Sequence, residues 1–238
     1  MPKGKSPNWV YNNHDRSRVV SKFGKNRADQ MIMLTTVLPG IVIVYQGEEI
    51  SIENRPMTWD ETVDPAGCNL GPNRYYLGSR DPYRSPFQWD NTTSAGFSTN
   101  NKTWLPVHNN YKTLNLETQK IAKNSHYKIF KKVVALKQKR VVREGKIQFI
   151  NIDEKVLIVI RHLDEDFEKV KGPDQQDLAV LLINFTNDMV RVNLSNYLNV
   201  KNLTVYVASL ESHIEVGSKI EEDHIDLPQA ASVIFVNN

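Results

Sequence analysis

The sequence predicts an α/β segment followed by an all-β segment, and three observations carry that prediction. Residues 9–49 read as strand, helix, strand, with polar residues just past each strand. From about Gln148 onward the pattern changes to short β-branched runs separated by acidic and Gly/Pro-containing turns. The first strand stops abruptly at Asn12-Asn13-His14-Asp15, followed by Arg16 and Arg18. A buried strand that ends in a carboxylate, an imidazole and cations is how a (β/α) barrel presents groups at its C-terminal face. A His-Asp pair at a strand end also serves as a plain turn with a capping carboxylate, and residues 9–18 alone weigh the two readings evenly.

Trp9, Val10 and Tyr11 form the first apolar run. Asn26 is placed to cap a helix with Asp29 at its third position. Ala28, Met31, Ile32, Thr35 and Leu38 then share one helical face. Pro39-Gly40 stops the helix, and Ile41-Val42-Ile43-Val44-Tyr45 reads as a parallel strand buried on both faces. That strand ends at Gln46-Gly47-Glu48-Glu49. The three elements make one βαβ unit, for which a right-handed connection is expected. His14, Asp15, Glu48 and Glu49 should then lie around one rim.

Residues 50–115 carry many Pro, Gly, Asn and Trp and little periodicity. A loop of that length is usually functional or disordered, and its aromatics favour an ordered lip. Residues 116–140 read as a helix with an apolar stripe of Ile129, Phe130, Val133, Val134 and Leu136. The basic run Lys131, Lys132, Lys137, Lys139 and Arg140 is its solvated face, with a basic binding patch as the minor alternative. Strands follow at 148–152, 156–161, 178–185, 190–194, 203–208 and 232–236, with a turn region from Asp164 to Asp177. Their alternation predicts one face packed inward and the other against solvent or the preceding α/β segment. The resulting domains are 1–141 and 142–238.

Composition sets limits. The 238 residues are 40% hydrophobic, enough for a sizeable core. A net charge of +3, from 30 basic and 27 acidic residues, is too balanced to imply nucleic acid or a membrane surface. The six histidines are scattered and suggest no zinc site, so neither metal nor cofactor is expected. No apolar run approaches the roughly 20 residues of a membrane helix. The start, Met1-Pro2-Lys3-Gly4-Lys5, shows no secretory signal, and the end, Val236-Asn237-Asn238, shows no anchor. Cys68 is single, so it is either an ordinary buried thiol or paired outside this chain. Five sequons start at Asn91, Asn101, Asn184, Asn193 and Asn202, and they point to a secreted glycoprotein. Asn91 and Asn101 are the favoured acceptors, and Asn184 is expected on an outer strand face.

Asn8-Trp9-Val10 with Asn13-His14-Asp15, then Leu38-Pro39-Gly40 and Tyr45-Gln46-Gly47-Glu48-Glu49, resembles the end of the catalytic barrel in family 13 glycoside hydrolases. The string from Ser79-Arg80-Asp81-Pro82-Tyr83-Arg84 to Gln88-Trp89-Asp90 narrows the resemblance to the maltase or α-glucosidase branch, the insect maltases above all. Arg16-Ser17 fills a variable position, and Ser85 stands where Thr is more usual. The resemblance implies the last part of a TIM (β/α)8 barrel (its last two strands, a long active-site loop and its last helix) followed by a small antiparallel β-sandwich domain. It also implies hydrolysis of terminal α-1,4-linked glucose from maltose, sucrose or short maltodextrins, with retention, by two carboxyl groups roughly 5–5.5 Å apart.

In the family, the nucleophilic Asp follows the fourth strand and the acid/base Glu the fifth, and neither strand is expected in this chain. Asp15 matches the third invariant carboxylate, a transition-state stabiliser, and His14 the neighbouring sugar-hydroxyl donor. Arg18 matches a position near the sugar rim, with a solvated turn arginine weighed equally. Arg80, backed by Arg84, is expected to reach the first glucose subsite. Glu48 and Glu49 read as bracing of the rim, with substrate contact from one of them as the alternative, while Phe87 and Trp89 read as packing beneath the loop ahead of stacking on sugar. The chain alone is expected to be inactive and poorly soluble. The alternatives are a catalytically silent relative, transporter-associated or receptor-like, and a short sugar- or protein-binding module.

Overall fold

A computed structural model of the chain describes residues 4–167, 170, 177–200, 203–220 and 223–237. The chain divides into two compact units. The first comprises Met1–Trp9, Asp29–Val42 and Ile129–Asn238, and the second comprises Val10–Ala28 and Ile43–Lys128.

In the first unit, strand β1 (Asn8–Trp9) pairs in parallel with β2 (Ile41–Val42). The Trp9 indole N–H donates to the Pro39 carbonyl at 2.7 Å. Gly40 sits at φ +110°, where a β-carbon would overlap the Pro7 carbonyl, so the turn requires glycine. Both strands are shorter than the sequence predicts. Ile41 is 57% exposed and Ile43 45%, which overturns the expectation of a strand buried on both faces. The β-branched run is strand only at Ile41–Val42, and β1 is its one partner among the described residues, so the side carrying Ile41 and Ile43 is exposed while Val42 and Val44 are partly covered.

Helix α1 (Val19–Phe23), which the sequence did not reveal, precedes α2 (Ala28–Val37). Asn26 is not a cap. It lies inside a 3-10 turn, Lys25–Arg27, that leads straight into α2. Asp29 instead turns its carboxylate to the Leu210 N–H at 2.9 Å. Helix α2 is buried well beyond a single face. Met33 is fully enclosed, and the Gln30 amide donates to the carbonyls of Asn184 and Ala230 at 2.8 Å each.

The predicted helix over 116–140 is broken into α4 (Leu116–Ile121), α5 (His126–Gln138) and α6 (Arg140–Arg143). Ser125 hydroxyl bonds to the Gln119 carbonyl and stabilises the interruption. Ile129, Val133 and Leu136 form the buried stripe, whereas Val134 is 43% exposed and does not belong to it.

Strands β3 (Lys146–Ile152), β4 (Val156–His162), β5 (Leu178–Asn184), β9 (Ser232–Asn237) and β7 (Leu203–Ala208) form one antiparallel sheet in that order. β6 (Val190–Asn193) pairs with β8 (His224–Leu227). A bulge in β7 between Val205 and Val207 shifts its register against β9. At the centre of this sheet the second face is covered and does not meet solvent. Every residue of β5 is buried, because the strand has partners on both edges and cover on both faces. Arg161 of β4 is also buried. Its guanidinium donates to Val37 O and Gly145 O at 2.6 Å and to Lys146 O at 3.2 Å. It thereby satisfies the carbonyl that α2 leaves open at its C-terminal end and two carbonyls where the chain passes from α6 into β3.

The second unit has little regular structure but is ordered. Short 3-10 turns at Tyr75–Leu77, Asp81–Tyr83, Thr93–Gly96 and Asn109–Lys112 punctuate its long segment, together with helix α3 (Pro65–Cys68). Ile50, Ile52, Phe87 and Leu116 make its core. Phe87 packs there as expected, with its ring centroid 4.6 Å from that of Trp89, but Trp89 is 49% exposed and lies at the surface.

Candidate functional site

Asp15 is the centre of the site. Its Oδ1 accepts from Arg84 Nη2 at 2.5 Å and from Arg80 Nη1 at 3.1 Å. His14 Nε2 lies 3.5 Å from Oδ2. Arg84 Nε also donates to the His14 carbonyl at 2.8 Å, which ties the guanidinium to the turn that carries the carboxylate. Both arginines therefore converge on one oxygen of one carboxylate and leave the other facing outward. Close to half of the Asp15 side chain is exposed, and His14 more than that. The Arg84 hydrogen bond is the main influence holding the Asp15 carboxyl below its usual range, helped by the nearby charges of His14 and Arg80.

Arg80 is itself held by a residue that sequence reasoning missed. Asp64 is fully buried and takes Arg80 in a fork, with Nε to Oδ2 at 2.8 Å and Nη2 to Oδ1 at 2.7 Å. Asp64 Oδ2 also accepts the Arg80 backbone N–H at 2.7 Å, and Oδ1 accepts from Ala66 N as the cap of α3. Arg80 is the first cause of the Asp64 carboxyl lying far below the ordinary range. Behind it, Asp81 Oδ2 accepts the N–H groups of Val63 at 2.8 Å and Asp64 at 2.9 Å. The local signal was Asp64-Pro65, a capping residue followed by proline at the first helical position.

The turn is braced from below. Asn12 Nδ2 donates to Glu48 Oε1 at 2.5 Å, Asn12 Oδ1 accepts from Asn13 N, and Asn13 Oδ1 accepts from Asp15 N, the last two at 2.8 Å. Glu48 is buried, and desolvation pushes its carboxyl above the ordinary value against the pull of Asn12 and Arg18. Burial likewise pushes the Tyr11 hydroxyl up, reinforced by Glu48 and Glu49, so it stays neutral. Glu49 Oε2 accepts the Gly47 N–H at 2.7 Å. Both glutamates thus brace, as the sequence predicts.

Arg18 is not the solvated turn arginine that was one of the two readings offered for it. It is fully buried, with its guanidinium 4.4 Å from the Tyr45 ring centroid and Nη1 donating to the Gln46 carbonyl. Its backbone N–H donates to Asn54 Oδ1 at 2.9 Å, and Nη1 lies 3.9 Å from Glu48 Oε1. Gly47, at φ +94°, makes room, since a β-carbon there would stand 2.9 Å from Arg18 Nη1.

Asn184 is also corrected. It is fully buried, and its amide donates to the carbonyls of Asp188, Leu227 and Pro228 at 2.7–3.1 Å. The Thr186 hydroxyl bonds to its Oδ1 at 2.8 Å, so this sequon is a structural turn with no room for a glycan. Asn91, Asn101 and Asn193 are exposed, while Asn202 lies outside the described residues. Cys68 is exposed and free, not a buried thiol. Among the described residues no His/Cys/Asp/Glu group is arranged to hold a metal, and no helix is long and apolar enough to cross a membrane.

Several known proteins are similar to this chain. Maltase 1 of Drosophila virilis is 39% identical over 229 residues, which is 95% of this chain and 35% of that protein. The salivary alpha-glucosidase of Anopheles gambiae is 47% identical over 145 residues, 61% of this chain and 24% of that protein. The human amino acid transporter heavy chain SLC3A1 is 30% identical over 239 residues, all of this chain and 32% of that protein. The chain thus spans about a third of the length of the curated relatives it matches. The trehalose-6-phosphate hydrolase of Bacillus licheniformis has the same fold, with TM-score 0.75 and 21% identity over 97% of this chain and 43% of that one. So does the trehalulose synthase MutB of Pseudomonas mesoacidophila, with TM-score 0.72 and 21% identity over 95% and 42%. The fold is accordingly a portion of a TIM barrel followed by an antiparallel β-domain. Residues 1–145 match the alpha-amylase catalytic domain, and the chain belongs to that family, in its maltase and α-glucosidase branch.

Proposed function

We propose that this chain is the C-terminal part of a retaining α-glucosidase that releases terminal glucose from maltose, sucrose or short maltodextrins. The observation that carries the reading is the Asp15 carboxylate, whose Oδ1 is held by Arg80 and Arg84 while Oδ2 faces outward beside His14. A glucosyl ring flattening toward an oxocarbenium ion gains from a fixed carboxylate and from donors on its hydroxyls, both of which strengthen in the transition state. Asp15 is the stabiliser in this proposal, and His14, Arg80 and Arg84 bind the sugar. The nucleophile and the acid/base lie outside this chain, which therefore breaks no glycosidic bond by itself.

The domain division at residues 141/142 belongs to the same proposal. So do secretion, a role in carbohydrate metabolism, and glycans at Asn91, Asn101 and Asn193. The silent transporter-associated alternative draws on the SLC3A1 relative, which is less similar than the maltases. The test is to read the native transcript upstream of Met1 and express its whole product. A product with an Asp after a fourth strand and a Glu after a fifth, whose glucose release from maltose is lost in Asp15→Asn, supports the reading. A full-length product that releases no glucose refutes it.

A further inference from the structure

A hollow of about 260 Å³ lies in the second unit, lined by Arg55, Pro56, Thr58, Glu61, His108 and Asn109. We propose that it binds one ring of a neutral sugar, and that it serves as an outer subsite for the oligosaccharide whose terminal glucose meets Asp15. This proposal rests on the function proposed above.

The chemistry of the lining selects the ligand. Arg55 and Glu61 neutralise each other in a two-point ion pair, with Nη2 to Oε1 at 2.7 Å and Nη1 to Oε2. Glu61 also accepts the Thr58 N–H at 3.0 Å, and the Arg55 hydrogen bond holds its carboxyl down to about 2. Neither charge is left over for an ionic ligand. His108 Nδ1 accepts the Asn110 N–H at 3.0 Å, which assigns the ring proton to Nε2. Burial keeps this imidazole below its ordinary value and hence neutral. The lining thus offers donors and acceptors side by side (imidazole, amide, hydroxyl, ion-pair edges), its own charges cancel in the Arg55–Glu61 pair, and Glu53 acts on His108 only from outside the lining. Pro56 is the apolar residue of the lining. The volume is below the roughly 300–1,000 Å³ typical of sites for drug-sized ligands, so it suits a single ring.

Position supplies the link to the site. The Arg55 N–H donates to the Pro82 carbonyl at 2.7 Å, and Pro82 stands in the turn between Arg80 and Arg84. One wall of the hollow is therefore one hydrogen bond away from the segment that carries both arginines.

The two sites have separate reporters, His108 in the hollow and His14 beside Asp15. The experiment titrates maltose into the 238-residue chain and follows both imidazoles by heteronuclear NMR. Asn109→Phe, at an exposed position, fills the hollow, and Asn109→Ala leaves it open. The expected result is a saturable His108 shift that survives Asn109→Ala and weakens on the order of tenfold or more in Asn109→Phe. Three results would overturn the proposal: no His108 response, a response that persists in Asn109→Phe, or equal binding of gluconate or glucosamine. A silent His14 with a responsive His108 would count against the function proposed above and leave the hollow a sugar site.

Discussion

Asp64→Asn is the most informative single change at the site. The carboxylate accepts four hydrogen bonds: Arg80 N at 2.7 Å, Arg80 Nε at 2.8 Å, Arg80 Nη2 at 2.7 Å and Ala66 N at 3.2 Å. An amide has one acceptor oxygen. Whichever way it turns, its NH2 faces two of those donors, so one bond to the guanidinium and one to a backbone N–H are lost. A hydrogen bond to a charged group contributes about 1.5–3 kcal/mol net and a neutral one about 1 kcal/mol. Arg80 is 36% exposed and retains Asp15, which discounts the charged part. The expected loss is about 2 kcal/mol at neutral pH.

The pH dependence of that loss follows from linkage. The folded Asp64 carboxyl lies below its ordinary 3.8, so its contribution is complete above that value and is lost as pH falls toward the folded one. The gap between wild type and Asp64→Asn should therefore be constant from neutrality to about pH 4 and narrow below it. Urea unfolding followed by Trp fluorescence at several pH values measures it. A gap under about 0.5 kcal/mol at pH 7, or one that does not narrow in acid, would refute the reasoning.

Arg161→Met removes hydrogen bonds to the Val37 carbonyl, which is buried, and to the Gly145 and Lys146 carbonyls, which are partly buried, and should cost about 2 kcal/mol in urea unfolding. A cost below about 1 kcal/mol would show that those carbonyls find other partners. Burial raises the folded Glu48 carboxyl above 4.5, so the folded state keeps a proton that the unfolded state has released, and its contribution falls as pH rises from there. Glu48→Gln keeps the acceptor for Asn12 without that titration. The stability difference between variant and wild type should therefore move in the variant's favour between pH 4.5 and 7; an unchanged difference would contradict this. Glycopeptide mass spectrometry of the secreted product should find Asn184 unmodified, and a glycan there would mean that its three amide hydrogen bonds do not form.

The chain pattern made some of this legible and hid the rest for physical reasons. Six strands of the β-domain could be read within about two residues, because β-branched runs between turn residues have few other uses. β8 escaped because His224-Ile225-Asp226-Leu227 is short and half polar, held to β6 by Arg191–Asp226 pairing that no local pattern shows. Asn184 was misplaced because alternation assumes a solvated face, and a central strand has none. At the site, His14 and Asp15 stood out as polar residues just past a strand end and Arg80 and Arg84 through the family resemblance, and the fold brings all four together. Asp64 did not stand out, because its role depends on a fork with Arg80 across 16 residues of loop. The solvated alternative for Arg18 fails because an arginine in a polar turn looks solvated until Tyr45 and Gly47 are folded around it.

The central claim is that this chain holds the sugar-orienting half of a glucosidase site without the pair that breaks the bond. The most direct measurement is glucose release from maltose by the purified 238-residue chain. No release above the uncatalysed background is predicted. Turnover by this chain that disappears in Asp15→Asn would contradict the account, because the bond-breaking carboxyl groups would then have to lie within these residues.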